Sequence, residues 1–208
     1  MEITMGRDFP ELAAKHIAGA RLYANRFDLI SDLRLAPDSH IAEVGVALGT
    51  FSKFMIEKFK PKQFCAFDLF QIHIADTLWG RPTREVLRGM THRQFYEAEM
   101  QNSTSPVITH EGLSSETLPR YPDEYFDMIY IDAAHTFDEV KLDAEISAAK
   151  IKKDGVLIFN DYIMHDPFIH ADYGIVPVVN EMVVNHGWRV IGFGLQKHMF
   201  CDIAIQRG

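Results

Sequence analysis

The sequence predicts a doubly wound α/β fold with a seven-stranded, mostly parallel sheet that ends in an antiparallel hairpin. From Ile41 onward, short apolar runs alternate with stretches of helical spacing, a pattern typical of βα units. The last two runs are separated only by residues 194–198, too few for a crossover helix, so we expect them to pair antiparallel. The predicted strands are residues 41–46, 64–69, 106–110, 126–132, 155–160, 188–193 and 199–206.

Length and composition limit the classes of function. The 208 residues, of which 47% are hydrophobic, suit one domain with a packed core and exclude a chain that is disordered throughout. A net charge of −8 would repel a polyphosphate backbone, so we expect small-molecule partners and no nucleic acid. No apolar window approaches a membrane span or a secretory signal. Cys65 and Cys201 lie in apolar runs typical of buried free thiols, so we expect a cytoplasmic protein without a membrane partner.

Two segments stand outside the βα rhythm. Apolar residues at helical spacing between Leu12 and Ile30 predict an N-terminal helical cap over residues 1–35, packed on a main domain at 36–208. Residues 71–105 interrupt the alternation with a polar stretch and are predicted to form a lid-like insertion. A helix that merely crosses over between two strands is the alternative for this segment.

A glycine-containing loop follows the first predicted strand. Gly45 and Gly49 permit positive φ angles and allow a ligand to approach the backbone closely, in the strand-to-helix context of a nucleotide-binding loop. Glu43 places a carboxylate at the strand end, where we expect it to hold a cationic ligand group directly or through water. Asp68 ends the next strand and is a candidate for accepting both hydroxyls of a ribose. Its alternative role is to cap the end of that strand.

A second constellation follows the strand that ends at Asp132. Thr136 and Glu139 have capping-box spacing, so we expect a helix to begin directly after His135. Asp132 and His135 then lie at the carboxyl edge of the sheet, where open α/β sheets bind ligands. Because histidine titrates near neutral pH, His135 is the candidate general base for deprotonating an attacking hydroxyl. The alternative is a solvated or capping histidine.

The next predicted strand ends with oxygen-bearing side chains. Asn160 and Asp161, beside Asp132 of the neighbouring strand, are candidate ligands for Mg²⁺, which would orient a vicinal diol or catechol and lower its hydroxyl pKa. Adjacent strand residues face opposite sides, so Asn160 and Asp161 can share an ion only where the strand has ended in a turn. Residues 165–174 carry two histidines and two aspartates, but their spacing matches no standard metal motif and equally suits a substrate loop.

These motifs resemble those of class I S-adenosylmethionine (SAM)-dependent methyltransferases, over about residues 38–206. The first motif of that family has the pattern acidic residue-x-Gly-x-x-x-Gly, where x is any residue. Glu43, Gly45 and Gly49 match it, whereas Ala47 stands where a glycine is common.

The region after the fourth strand resembles a subgroup of this family that includes macrolide sugar O-methyltransferases and the cephalosporin-biosynthesis methyltransferase. Asp132, His135 and Phe137 match its pattern. Metal-using relatives, including catechol O-methyltransferase, have an Asp at the fourth strand and an Asp/Asn or acidic pair at the fifth, which Asn160 and Asp161 match in composition.

The resemblance implies a Rossmann-like fold and transfer of a methyl group from SAM to the hydroxyl of a small molecule, with Mg²⁺ as a candidate second cofactor. By the same analogy the loop after the third strand borders the adenine, so Gly112 and Ser114 are expected cofactor contacts. The alternative is that Ser114 or Ser115 is simply the N-cap of a helix. The cofactor residues that the resemblance implies are Glu43, Gly45, Ala47, Gly49, Asp68, Gly112, Ser114 and Asp132.

Two other functions stay open at this stage. An NAD-dependent oxidoreductase also uses a glycine loop and an acidic strand end, although residues 45–49 lack the fuller Gly-x-Gly-x-x-Gly motif that seats a pyrophosphate. A non-catalytic SAM-binding protein is the other alternative. The sequence leaves the methyl acceptor open, and the N-terminal segment suggests a homodimer that caps its own sites.

Overall fold

The computed structural model describes residues 8–208, within which the chain forms twelve strands and seven α-helices. The strands are β1 (Arg21–Tyr23), β2 (His40–Val44), β3 (Gln63–Asp68), β4 (Thr77–Leu78), β5 (Arg81–Pro82), β6 (Val107–Glu111), β7 (Phe126–Ile131), β8 (Ile151–Phe159), β9 (His165–Asp166), β10 (Ala171–Asp172), β11 (Trp188–Gly194) and β12 (Asp202–Arg207). The helices are α1 (Arg26–Asp32), α2 (Thr50–Phe59), α3 (Thr83–Val86), α4 (His92–Met100), α5 (Ser114–Thr117), α6 (Phe137–Lys150) and α7 (Ile175–Asn185).

Eight of these strands form one sheet in the order β1-β11-β12-β8-β7-β2-β3-β6. Strand β12 runs antiparallel to both of its neighbours, and all other pairs are parallel. This arrangement confirms the predicted doubly wound sheet and its C-terminal hairpin. The predicted number of seven strands is corrected to eight, because the short strand β1 pairs with β11 at the sheet edge.

The N-terminal segment differs from the helix that its apolar spacing predicts. Leu22 lies in β1, opposite Phe193 of β11, and among residues 8–35 only Arg26–Asp32 form an α-helix. Helix α1 begins where the Asn25 side chain accepts a hydrogen bond from the backbone N–H of Asp28, at 2.9 Å. Residues 1–7 lie outside the described part of the chain, and the boundary near residue 35 stays a proposal.

The core lies on both faces of the sheet, and β7 shows how. Met128 and Tyr130 belong to the cluster that packs against α1, α2 and α4, whereas Ile129 and Ile131 belong to the cluster under α6 and α7. This alternation follows the two-residue period of a strand. Each such buried side chain contributes about 1.5–3 kcal/mol. Within residues 8–208, no helix is long and apolar enough to cross a membrane.

The predicted insertion contains two different structures. Strands β4 and β5 form a small antiparallel hairpin whose tip carries Trp79, a side chain that is 74% exposed. Helix α4 instead buries Tyr96 and Met100 in the core and leads to β6, as the crossover alternative expects. A lid function for the exposed hairpin stays a prediction.

Candidate active site

The loops at the carboxyl edge of the sheet enclose a cleft of about 410 Å³. Parallel strands end at the same edge, so the turns after β2, β3, β6 and β7 converge there. Six of the residues predicted to contact a cofactor line this cleft: Gly45, Ala47, Asp68, Gly112, Ser114 and Asp132. Glu43 and Gly49, the other two, have partners outside the cleft.

Both predicted glycines have positive φ, but different neighbours require them. Gly45 has φ +85°, and a Cβ there would lie 2.1 Å from the backbone oxygen of Asp132. Gly49 has φ +75°, and a Cβ there would lie 2.6 Å from the Cε of Met100 and 3.0 Å from the Tyr96 ring. Gly45 therefore lets the loop after β2 meet the turn after β7, whereas Gly49 lets α4 pack on the start of α2.

Glu43 lies beneath the glycine loop. Its side chain is 2% exposed and accepts a hydrogen bond from the Ser52 hydroxyl of α2, which in turn accepts one from the Tyr96 hydroxyl at 3.1 Å. Burial raises the pKa of Glu43 well above its usual range. In the structure, this carboxyl connects β2 to the helix that follows the loop and does not line the cleft.

Asp68 lines the cleft and also caps the end of β3. Its Oδ2 accepts a hydrogen bond from the N–H of Val46 at 2.9 Å, and its Oδ1 accepts one from Phe70 at 2.7 Å. Each carboxylate oxygen has a further lone pair, so these bonds leave acceptor capacity for a ligand hydroxyl.

A buried histidine of α4 stabilises this part of the cleft. His92 Nε2 lies 2.6 Å from the carbonyl oxygen of Ala47, a residue held at φ +43°. His92 Nδ1 lies 3.8 Å from Asp68 Oδ1 and has no hydrogen-bond partner within the described residues. His92 thus contacts both the glycine loop and the end of β3, a role that its position between predicted strands does not signal.

The far wall of the cleft follows β6. The N–H of Gly112 donates to the carbonyl of Asp68 at 3.0 Å, and the Ser114 hydroxyl donates to Asp143 of α6. The helix cap of α5 is Leu113, so the predicted capping alternative for Ser114 is wrong. Leu69, Leu113 and Leu142 also line the cleft, and each is more than 40% exposed. These three side chains leave an apolar surface that a planar heterocycle can cover.

His135, the predicted general base, lies next to the cleft-lining Asp132 but does not itself line the cleft. His135 Nε2 lies 3.2 Å from Asp161 Oδ2, and the His135 ring packs on Tyr173 with centroids 4.4 Å apart. Asp132, His135 and Asp161 each offer one ligand atom, and these three atoms lie within 4.8 Å of one another. The structure therefore brings the predicted base and two predicted metal ligands together.

Asn160 and Asp161 lie in the turn after β8, as they must if both are to contact the same ion. The strand ends at Phe159, and Asp161 has a left-handed φ of +53°. Asn160 donates its amide N–H to Asp132 Oδ1 at 2.8 Å. Asn160 thereby supports Asp132, with its amide nitrogen rather than its oxygen facing that carboxylate.

The charges in this cluster favour a bound cation. Burial, followed by the nearby Asp161 carboxylate, raises the pKa of Asp132 to about 7. Burial lowers the pKa of His135, but Asp161 together with the charges of Asp132 and Asp166 outweighs this effect and raises that pKa overall. Mg²⁺ takes oxygen ligands, so the carboxylates of Asp132 and Asp161 fit the predicted metal, whereas the His135 imidazole does not and is free to act as a base.

A buried polar network beside Asp132 includes residues that sequence reasoning missed. Tyr130 donates to Asp202 Oδ2 at 2.7 Å, and Arg26 donates to the Tyr130 hydroxyl at 3.3 Å. Arg26 also lies 3.9 Å from Asp132 Oδ2. Burial raises the pKa of Asp202 to about 7. These contacts join chain segments more than 70 residues apart, so no local pattern indicates them.

A family model described as a methyltransferase domain matches residues 42–162, more than half of the chain. No curated protein matches. This family match decides against the NAD-dependent oxidoreductase alternative.

Solved structures of methyltransferases share the fold at low sequence identity. An O-methyltransferase from Bacillus cereus in complex with S-adenosylhomocysteine (SAH) is 13% identical, with a TM-score of 0.60 over 88% of this chain and 80% of that one. The SAM-bound O-methyltransferase TomG from Streptomyces achromogenes, involved in tomaymycin synthesis, is 15% identical, with the same TM-score and coverage. A putative O-methyltransferase from Klebsiella pneumoniae is 16% identical, with a TM-score of 0.61 over 96% of this chain and 84% of that one. The chain belongs to this methyltransferase family and has the fold of its class I, SAM-dependent members.

Proposed function

We propose that this protein transfers a methyl group from SAM to a hydroxyl of a small molecule, with His135 as the general base. The observation that carries the proposal is the position of His135. It lies beside the cleft-lining Asp132 and is paired with Asp161 at 3.2 Å. The O-methyltransferases of similar fold named above support a hydroxyl as the acceptor group.

The cofactor residues of this chain would each meet a different part of SAM. Asp68 faces a ribose with its remaining acceptor capacity, and Leu69 and Leu113 cover the adenine. Asp132 lies at the other end of the cleft, next to His135. Bound SAM supplies a sulfonium methyl that is already activated for transfer, so the main task of the protein is to align the acceptor oxygen.

His135 takes the proton that the acceptor hydroxyl must lose. The Asp161 carboxylate, 3.2 Å from Nε2, favours a proton on that nitrogen and leaves the Nδ1 lone pair for the proton of the acceptor. No hydrogen bond to His135 Nδ1 is found among residues 8–208. The Asp161 carboxylate then stabilises the imidazolium that forms, and the Tyr173 ring packs against the imidazole at an interplanar angle of 30°.

A divalent ion, Mg²⁺ as the sequence suggests, would be held by Asp132 and Asp161. Asn160 would serve as a further ligand through its carbonyl oxygen if its amide turned over. When bound, such an ion polarises the acceptor hydroxyl and orients a second oxygen beside it. The crowded carboxylates at this site support the assignment, because a cation relieves their repulsion.

Methyl transfer to a panel of sugars, catechols and phenols tests the proposal, with SAH release as the readout. We expect turnover with at least one class, and we expect His135→Ala to lower it at least about a hundredfold while SAH affinity stays within about twofold. His186→Ala is the matched control, because His186 is exposed at the end of α7 and lies outside the cleft. Full turnover by His135→Ala would contradict the assigned base, and SAH binding without turnover across the panel would favour a non-catalytic SAM-binding protein.

A further inference from the structure

Arg26 is held against the helix that follows the glycine loop. It is the first residue of α1, and its guanidinium lies over the Phe51 ring at 4.4 Å from the centroid. Phe51 is in the first turn of α2, directly after the loop that begins at Gly45. A cation over an aromatic face is attracted to it, so this stacking fixes the plane of the guanidinium.

The guanidinium keeps unused hydrogen-bond donors. Its one hydrogen bond among the described residues goes to the Tyr130 hydroxyl at 3.3 Å. The distance of 3.9 Å from Arg26 to Asp132 Oδ2 is longer than a hydrogen bond. An arginine carries five N–H donors, and 26% of the Arg26 side chain is exposed. The unused donors therefore belong to a partly exposed side chain that lies 3.9 Å from the cleft-lining Asp132.

We propose that Arg26 binds the carboxylate of the amino-acid end of SAM, while Asp132 faces the ammonium group next to it. This inference rests on the proposed function. An α-amino acid carries its two opposite charges on one carbon, and Arg26 and Asp132 present the two complementary charges side by side, 3.9 Å apart. The planar fork of a guanidinium matches a carboxylate through two parallel hydrogen bonds.

The position of Arg26 favours the cofactor over an acidic acceptor as the source of the carboxylate. Through Phe51, Arg26 packs on the helix that the glycine loop begins, and Asp132 lines the same cleft as Gly45. The acceptor hydroxyl must instead reach His135. If Arg26 instead bound a carboxylate of the acceptor, the affinity for SAH would not depend on Arg26.

Calorimetry with two ligands tests the role of Arg26 directly. One ligand is SAH, and the other is its decarboxylated form, which keeps the adenosine, the sulfur and the amine. We expect the wild-type protein to bind SAH at least about tenfold more tightly, because charge-assisted hydrogen bonds are the stronger kind. Arg26→Gln should remove this preference by weakening SAH binding alone, and Arg26→Lys should keep part of it.

Arg21→Gln is the matched control, since Arg21 lies in the same N-terminal segment and pairs with Asp32 on the surface. It should leave both affinities unchanged. Equal affinity of the wild-type protein for the two ligands would overturn the proposal. An Arg26→Gln protein that loses affinity for both ligands by the same factor would also overturn it. If Arg26→Gln does not fold, the preference of the wild-type protein and of Arg26→Lys for SAH over its decarboxylated form still tests the proposal. Failure of the wild-type protein to bind SAH at all would overturn the proposed function, and this inference with it.

Discussion

His135 Nε2 lies 3.2 Å from Asp161 Oδ2, across the turns that follow two neighbouring parallel strands. Strands β7 and β8 end side by side at the carboxyl edge. Asp161 lies in the turn after β8 with a left-handed backbone, and its carboxylate lies next to Asp132 and His135. The pair makes a base whose orientation and charge depend on a carboxylate from another strand.

Asp161→Asn is expected to lower turnover about 10- to 100-fold, the scale for losing a group that orients a functional histidine. The amide cannot stabilise an imidazolium as a carboxylate does. Steady-state kinetics measure the effect, and SAH affinity should not change. Asp172→Asn is a matched control, because Asp172 pairs with exposed His165 at 2.8 Å outside the catalytic cluster. Equal turnover of Asp161→Asn and the wild-type protein would contradict this role.

Removal of divalent ions with EDTA is expected to lower turnover at least about tenfold, and added Mg²⁺ should restore it. Direct titration with Mg²⁺ should give a binding signal that Asp132→Asn weakens, because this change removes one of two converging carboxylates. Turnover that is insensitive to EDTA, together with no Mg²⁺ binding, would argue for a site that works with His135 and Asp161 alone.

Gly45→Ala is expected to destabilise the fold by about 2–5 kcal/mol. A Cβ at this position would lie 2.1 Å from the backbone oxygen of Asp132, in addition to the strain of a positive φ. Gly80→Ala separates the two effects, because Gly80 has φ +76° but no atom within 4 Å of its added Cβ. It should cost only about 1–2 kcal/mol. Chemical denaturation measures both values, and equal losses would mean that the close approach at Gly45 is absent.

Glu43→Gln is expected to stabilise the protein at pH 8 but not near pH 4.5. Burial raises the folded-state pKa of Glu43, so the folded state retains a proton that the unfolded state loses as the pH rises above about 4.3. Stability from this group is therefore present at low pH and is lost as the pH rises, whereas glutamine cannot ionise.

The melting temperature of Glu43→Gln relative to wild type should thus increase by a few degrees between pH 4.5 and pH 8. The melting temperature of Glu97→Gln relative to wild type should instead decrease between pH 4.5 and pH 8, because the hydrogen bond from Arg93 lowers the pKa of exposed Glu97. A wild-type protein that is more stable than Glu43→Gln at pH 8 would contradict the expected cost of burying this carboxyl.

The strands were predictable because their apolar runs are long and regular, and residues 194–198 are too few for any connection except a hairpin. Strand β1 was not predictable, since three residues cannot display a two-residue period. The position of Glu43 follows from that period: Ala42 and Val44 face one core cluster, so Glu43 points to the opposite face, toward Ser52.

The candidate site was predictable to a similar extent. The turns after β7 and β8 are local in sequence, and the carboxyl ends of parallel strands meet at one edge, so Asp132, His135 and Asp161 were expected together. Arg26 and His92 reach the site from segments without a motif, and only tertiary packing brings them there.

A crystal structure of the protein with SAH bound tests the central claim most directly. We expect the adenosine to lie in the cleft beside Asp68 and Gly112, with the sulfur pointing toward His135. An adenosine bound elsewhere, or a sulfur separated from His135 by the protein backbone, would contradict that claim.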